Sequence, residues 1–281
     1  MWQIRESAAK SILTPVTGFL KEAGFTHSLS PARNCTYGCT YCYVPSLGVY
    51  GGLKPEDWTH WGQFTTLKMN AAELAERQAR RDQAIYCSPL VDPYQPAERQ
   101  RPLMPKILEA FLRHPPRVLV LQTRASLILR DIALLQRLGK KTALRVSFSI
   151  TTNRDEVRRR YEPHCEANEE RLATVRELSR AGVEAYATLA PLLPCDPEEL
   201  AQRALEASGR VLIGDPLHVR ATKRWGATTR QAAFAIAQHY GESDWFEPEF
   251  QNMIVRRIRR IAMKAGLDFV TGPEGFGLLA R

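Results

Sequence analysis

The sequence predicts an α/β protein: a six-unit (β/α)6 partial barrel over residues 27–214, with a lead-in at 1–26 and a helical extension at 215–281 packed on it. Three observations predict it. Six short strand-like segments each run into a helix or loop before the next, the pattern of βαβ units around a parallel sheet. One of them, residues 117–123, is almost continuously apolar, as a strand covered on both faces is. Helical stretches close on glycine, at Gly139 and Gly182, where the chain turns back toward the next strand. Right-handed crossovers then curl such a sheet in one sense.

Taken in order, residues 1–26 carry a short amphipathic pattern of Ile12, Leu13, Val16, Phe19 and Leu20, interrupted by Pro15 and Gly18, and are expected to cover one end of the core. Residues 27–30 form the first strand and deliver the chain into a cysteine-rich loop. A segment with Gly48, Gly51, Gly52 and Pro55 follows, with Trp58 and Trp61 behind it, and is expected to pack over that loop and line a cleft. Residues 71–82 form a charged helix with Leu74 inward, 83–88 the second strand, and 89–96 a stiff loop studded with proline. A helix at 104–112 starts among Pro102 and Pro105 and is stopped by Pro115 and Pro116. Strands at 117–123, 143–150, 183–189 and 210–214 alternate with helices at 128–138, 169–181 and 197–207.

Beyond 215 the alternation stops. Helices are predicted at 228–240 and 248–265, the second with Phe250, Met253, Ile254, Ile258 and Ile261 on one face. Arg256, Arg257, Arg259 and Arg260 crowd the rest of it, either as a solvated face or as a patch that tracks phosphates. Residues 271–277 hold too much glycine for an element and are expected to fold back over the barrel. No internal repeat or low-complexity linker interrupts the chain.

The 281 residues, 44% apolar and 25% charged, describe a globular protein with ample core. No apolar run approaches a membrane span, and the amino terminus has no apolar signal region, so a cytoplasmic protein is expected. The balance of 39 basic against 30 acidic residues, net +9, nominates nucleic acid as a partner without identifying one.

Chemistry concentrates between Asn34 and Tyr43, where Cys35, Cys39 and Cys42 stand at C-x3-C-x2-C spacing around Gly38. These positions follow neither helix nor strand period, so they do not read as core cysteines. Soft thiolates clustered this way select zinc, copper(I) or iron–sulfur clusters, and point to a reducing compartment rather than a disulfide framework. Structural zinc wants a fourth protein ligand and usually takes two separated pairs. An iron–sulfur cube held by three cysteines leaves one iron open to a small molecule.

With Tyr41 just before Cys42, the loop resembles that of radical S-adenosylmethionine (SAM) enzymes, C-x3-C-x-aromatic-C. The resemblance implies a partial TIM barrel, a [4Fe–4S] cluster on Cys35, Cys39 and Cys42, and SAM chelated to the fourth iron. It implies one-electron cleavage of SAM to a 5′-deoxyadenosyl radical that abstracts hydrogen from substrate, and a reductant such as flavodoxin or ferredoxin. Within the superfamily, residues 27–45, 92–96, 122–126 with Arg130 and Asp131, 146–150, 161–163 with Arg171 and Leu172, and 189–191 look like the spore photoproduct lyase branch. Reactive groups then belong at the carboxyl ends of the strands.

That resemblance nominates a set of site residues. Arg124 stands where the branch has a lysine that meets the SAM carboxylate, and a guanidinium offers a bidentate fork for it. Ser149 matches a serine that touches SAM, and the alternative is a buried serine bonded to backbone. Arg171 either pairs with Glu162 or reaches the methionine moiety, and Tyr41 belongs to the cofactor-facing loop. Many relatives use a Gly-Gly-Glu triplet at the second strand; this chain has none, so Ser88 or backbone carbonyls are expected to take its place. Cys87 lies where the lyases have a hydrogen-donating cysteine, with Asp92 shortly after, although its flanks differ and a packed strand cysteine explains it nearly as well. Tyr43, Tyr86 and Tyr94 are alternative radical shuttles. Cys165 and Cys195 have no clustered partner in sequence and no role is expected of them.

The expected function is hydrogen abstraction from a substrate, with nucleic acid as one candidate. Spore photoproduct repair itself is less expected than a related reaction, because no long amino-terminal extension precedes the barrel and the flanks of Cys87 are altered. The rivals are a radical SAM enzyme acting on a peptide or small molecule, and a zinc-stabilised nucleic-acid-binding module. A monomer without membrane contact is expected.

Overall fold

The computed structural model describes residues 2–51, 60–217 and 230–281. Gly52, Pro55, Trp58 and the start of the helix expected from 228 lie outside the described residues. The chain forms β1 (Gln3–Ser7), β2 (Leu13–Pro15), α1 (Gly18–Glu22), β3 (His27–Leu29), β4 (Ala32–Arg33), β5 (Phe64–Lys68), α2 (Ala71–Gln78), β6 (Ala84–Cys87), α3 (Ala97–Gln100), α4 (Met104–Arg113) and β7 (Val118–Thr123). It continues through α5 (Ile132–Gly139), β8 (Ala143–Ser149), α6 (Asp155–Tyr161), α7 (Asn168–Arg180), β9 (Glu184–Leu192), α8 (Pro197–Ser208), β10 (Leu212–Pro216), α9 (Gln231–His239), α10 (Pro248–Lys264), β11 (Phe269–Thr271) and α11 (Gly272–Gly277).

The six expected strands pair in chain order and in parallel, β3-β6-β7-β8-β9-β10, giving the expected partial barrel. The ends of the chain differ from expectation. Residues 1–26 are not only a lead-in: β2 adds an antiparallel strand beside β3, and β1 joins β5 and β4 in a separate three-stranded sheet. Strands of three to five residues are too short for their alternation to register in sequence. At the other end, β11 extends the barrel sheet beside β10, and the glycine-rich tail forms α11. Its glycines mark close packing, since a Cβ on Gly275 would stand 2.4 Å from the Val270 carbonyl oxygen.

Alternation along the strands sorts side chains into two cores. Ile85, Cys87, Leu119, Leu121, Val146 and Phe148 lie with Ile107 and Phe111 of α4 and Leu135 of α5, under the helical layer. Ala84, Tyr86, Val118 and Val120 face the barrel lumen, with Phe25, Phe276 and Leu279. The tail does fold over the barrel, and closes this lumen at its amino end. Arg145 on β8 donates to the carbonyl oxygens of Leu279 at 3.1 Å and Arg281 at 2.7 Å while pairing with Glu184 at 3.2 Å. Toward the carboxyl end the same face turns polar, through Ser88, Gln122, Ser147, Ser149 and Thr188. That polarity locates the working end. No helix among the described residues is long and apolar enough to cross a membrane.

Candidate active site

The cysteine loop is built by backbone geometry and by neighbours that hold it. Asn34 adopts a left-handed φ of 62° and accepts from the Cys35 amide through Oδ1 at 2.8 Å, while its carbonyl accepts from Thr65 Oγ1 at 2.9 Å. Asparagine tolerates that conformation because its short polar side chain bonds locally. Gln95 Oε1 takes both the Thr36 amide (2.9 Å) and hydroxyl (3.1 Å). Gly38 and Gly62 meet backbone to backbone: a Cβ on Gly62 would fall 2.7 Å from the Gly38 Cα. The Thr40 amide then binds the Tyr161 carbonyl at 2.9 Å, clamping the loop to the last residue of α6.

Beside the loop lies a buried network centred on Glu162. Its Oε1 accepts from Arg124 Nη1 at 2.5 Å and from the Tyr41 hydroxyl at 2.5 Å; its Oε2 accepts from Arg171 Nη1 at 2.6 Å. Burial alone would raise the carboxyl's pKa, but Arg171 and then Arg124 outweigh it and hold Glu162 at about 2. Arg171 is fully buried and also donates to the Ser149 carbonyl, so the structure realises the Glu162 pair that the sequence allowed. Arg124 reaches the Tyr41 hydroxyl and, at 3.7 Å, the Cys39 sulfur, all through Nη1. Among the described residues its Nε and Nη2 take no hydrogen-bond partner. Its backbone is fixed by Asp92, which accepts the Arg124 amide at 2.9 Å and the Thr123 hydroxyl at 2.7 Å.

The three sulfurs are not equivalent. The Cys165 thiol and the Arg124 guanidinium draw Cys39 below the ordinary thiol range, against the effect of burial. Cys42 is pushed up to about 12 by burial and by the charge of Cys39, and burial with Asp92 pushes Cys35 up as well. A bound cation reverses such shifts and takes the thiolates. Here one expectation is corrected: Cys165 does have a clustered partner. Its sulfur, that of Cys39 and a Glu162 carboxylate oxygen all lie within 4.8 Å of one another. Three residues after Glu162, it is carried in by the turn that closes with Cys165 N on Glu162 O at 3.0 Å, which cysteine spacing alone does not reveal.

The remaining nominated residues divide. Ser149 ends β8 with its hydroxyl buried and without a hydrogen-bond partner among the described residues, while Ser88 bonds the Ser30 hydroxyl at 3.0 Å. Cys87 is fully buried on the helix-covered face with Ile85, opposite the lumen that Tyr86 faces; period 2 along β6 places it there. Burial, then Asp92 and Glu98, push its thiol up, so it stays protonated. Tyr43 donates to the Pro89 carbonyl, and Cys195 is buried. On α10, Arg257 pairs with Glu198 and Arg259 with Asp268 and the Phe269 carbonyl, which spends half the basic stripe within the chain. Glu162 and Asp92, the two carboxylates that set the site, were visible in sequence only as neighbours of Arg171 and Cys87.

Among known proteins, one uncharacterized protein of Mycobacterium tuberculosis is 24% identical over 258 residues, 85% of this chain and 74% of its own. An uncharacterized protein of Methanocaldococcus jannaschii is 26% identical over 192 residues, 68% of each chain. A solved spore photoproduct lyase complexed with dinucleoside spore photoproduct shares the fold, with a TM-score of 0.63 at 14% identity over 95% of this chain and 81% of that one. A variant of that lyase with bound AdoMet and dinucleoside spore photoproduct matches with a TM-score of 0.58 at 15% identity over the same shares. Residues 29–206, well over half of the chain and including the whole cysteine loop, match the profile of the radical SAM superfamily, and the chain is a member enzyme of that superfamily.

Proposed function

We propose that the chain holds a [4Fe–4S] cluster on Cys35, Cys39 and Cys42, binds SAM at the carboxyl end of the barrel, and abstracts hydrogen from a nucleic-acid substrate. The residues present fit both groups. Three thiols on one loop suit an iron–sulfur core with one iron open. The Nε–Nη2 edge of Arg124, left over from its Nη1 contact with Glu162, and the buried Ser149 hydroxyl, neither with a hydrogen-bond partner among the described residues, are the groups an anionic, polar cofactor tail would satisfy. That pairing of a three-thiol loop with an open guanidinium beside it carries the reading. Once bound, the cluster supplies one electron and SAM a 5′-deoxyadenosyl radical.

The chain's own residues do the rest. Glu162 holds Arg124 at the loop from one side and Arg171 anchors Glu162 from the other, so the fork is oriented before any ligand arrives. Tyr41 fills the space between them and keeps water from the sulfurs. The polar end of the lumen, where Ser147 bonds Thr188, Ser88 bonds Ser30 and Tyr86 donates to Gln122, is the side a substrate would approach. A donor to a substrate radical has to face that lumen, and on β6 the lumen-facing residue is Tyr86, with Cys87 behind the strand.

Nucleic acid is favoured as substrate by the net charge of +9 and by the likeness of fold to a lyase whose structure holds a dinucleoside spore photoproduct. A peptide or small molecule is the second reading, favoured by the self-pairing of Arg257 and Arg259. Reductants of the acidic flavodoxin or ferredoxin type suit the basic surface. The test is to incubate reduced protein with SAM and candidate DNA in deuterated buffer. The proposal expects 5′-deoxyadenosine, label in the polymer, and DNA binding that weakens with salt. Cofactor cleavage with no polymer binding would transfer the site to the second reading.

A further inference from the structure

We propose that Cys165 is a positioning residue for the electron-transfer step: its thiol donates to the Cys39 sulfur and sets the reduction potential of the cluster held there. The inference rests on the cluster reading above and concerns a residue outside the cysteine loop. Cys165 is buried, with its sulfur within 4.8 Å of the Cys39 sulfur. Its backbone is fixed on both sides, the amide on the Glu162 carbonyl at 3.0 Å and the carbonyl on Arg158 Nη1 at 2.7 Å. The same segment binds the Thr40 amide through the Tyr161 carbonyl, so the two sulfurs are held by one clamp.

Cys39, Cys165 and Glu162 do not form a metal site of their own. Both Glu162 oxygens are committed, Oε1 to Arg124 and Tyr41 and Oε2 to Arg171, so no carboxylate is free to complete one. Nor does Cys165 read as a fourth cluster ligand, because thiolates on different irons of one core stand further apart than the 4.8 Å within which these two sulfurs lie. What remains is a sulfur–hydrogen donor against a ligand sulfur. Hydrogen bonds to cluster sulfurs are a recognised lever on potential, because they offset the extra negative charge of the reduced state. Arg124 Nη1, 3.7 Å from the same sulfur, acts in the same direction.

The experiment compares wild type with Cys165→Ala and Cys165→Ser after anaerobic reconstitution, reading iron content and the midpoint potential by EPR-monitored titration. Both variants should keep wild-type iron. Cys165→Ala should shift the potential negative, lowering the reduction equilibrium three- to tenfold; tenfold is about 59 mV for one electron. Cys165→Ser, whose hydroxyl also donates, should recover part of the shift. An unchanged potential in both variants overturns the proposal, and so does loss of iron in both, which would make Cys165 a ligand. If wild type itself takes up no iron, the parent reading fails and this one with it.

Discussion

Cys39 and Cys87 are both enclosed sulfurs near the carboxyl end of the sheet, and their surroundings pull them in opposite directions. Around Cys39 stand the Cys165 thiol, within 4.8 Å, and the Arg124 guanidinium, and both pull Cys39 below the ordinary thiol range. Around Cys87 stand apolar packing and the carboxylates of Asp92 and Glu98, which keep the proton on. In sequence the two differ only in company, Cys39 standing inside a three-cysteine motif and Cys87 alone at a strand end. What separates their chemistry in the fold is the set of neighbours that distant segments bring alongside, Arg124 and Cys165 for Cys39, Asp92 and Glu98 for Cys87. Sulfur type nominates a role, and the neighbours from distant segments assign it.

Removing Cys39 tests the contrast most severely. Cys39→Ala should abolish iron binding and all 5′-deoxyadenosine formation, whereas Cys87→Ala should leave both intact; iron analysis and product chromatography read the difference. A Cys87→Ala protein that loses its iron would erase the distinction between the two sites.

The next largest effect belongs to the network that biases Cys39. Glu162→Gln strands two buried guanidinium groups and should cost about 3–5 kcal/mol in urea unfolding. Glu162 titrates near 2 in the fold against an ordinary 4.5, so its contribution is full above pH 4.5 and fades as pH falls toward 2. The gap between variant and wild type should therefore narrow over that window; a gap constant with pH would contradict the ion-pair account.

Arg124→Lys keeps a charge for Glu162 but removes the fork. SAM affinity, read by equilibrium dialysis, should fall about ten- to hundredfold, the 1.5–3 kcal/mol of a charged hydrogen bond. Unchanged affinity would move the carboxylate contact elsewhere. Smallest is the structural cost of Cys87→Ala, about 1–2 kcal/mol for a buried side chain of this size, with turnover preserved. A loss of product label at full SAM cleavage would instead make Cys87 the hydrogen donor.

The barrel was legible because each strand of the sheet interior is a short apolar run followed by a helix with a clear stop, as at Gly139 and Gly182. The cysteine loop was legible because local spacing encodes it. The separate sheet of β1, β5 and β4 was not, since its strands are short and lie 61 residues apart from Gln3 to Phe64 in their pairing. Cys165 was hidden for the same physical reason: its partner is set by the turn after α6, and no local period connects residues 39 and 165. At Cys87 the residue type was readable and the packing was not, since the neighbours that enclose it come from α4 and β7.

The measurement that bears most directly on the whole account is metal analysis of anaerobically reconstituted wild-type protein, followed by EPR of the reduced form with and without SAM. The account predicts about four irons per chain and a spectrum that changes when SAM is added, as one iron open to ligand requires. A colourless protein carrying a single zinc, or an iron spectrum indifferent to SAM, would contradict it.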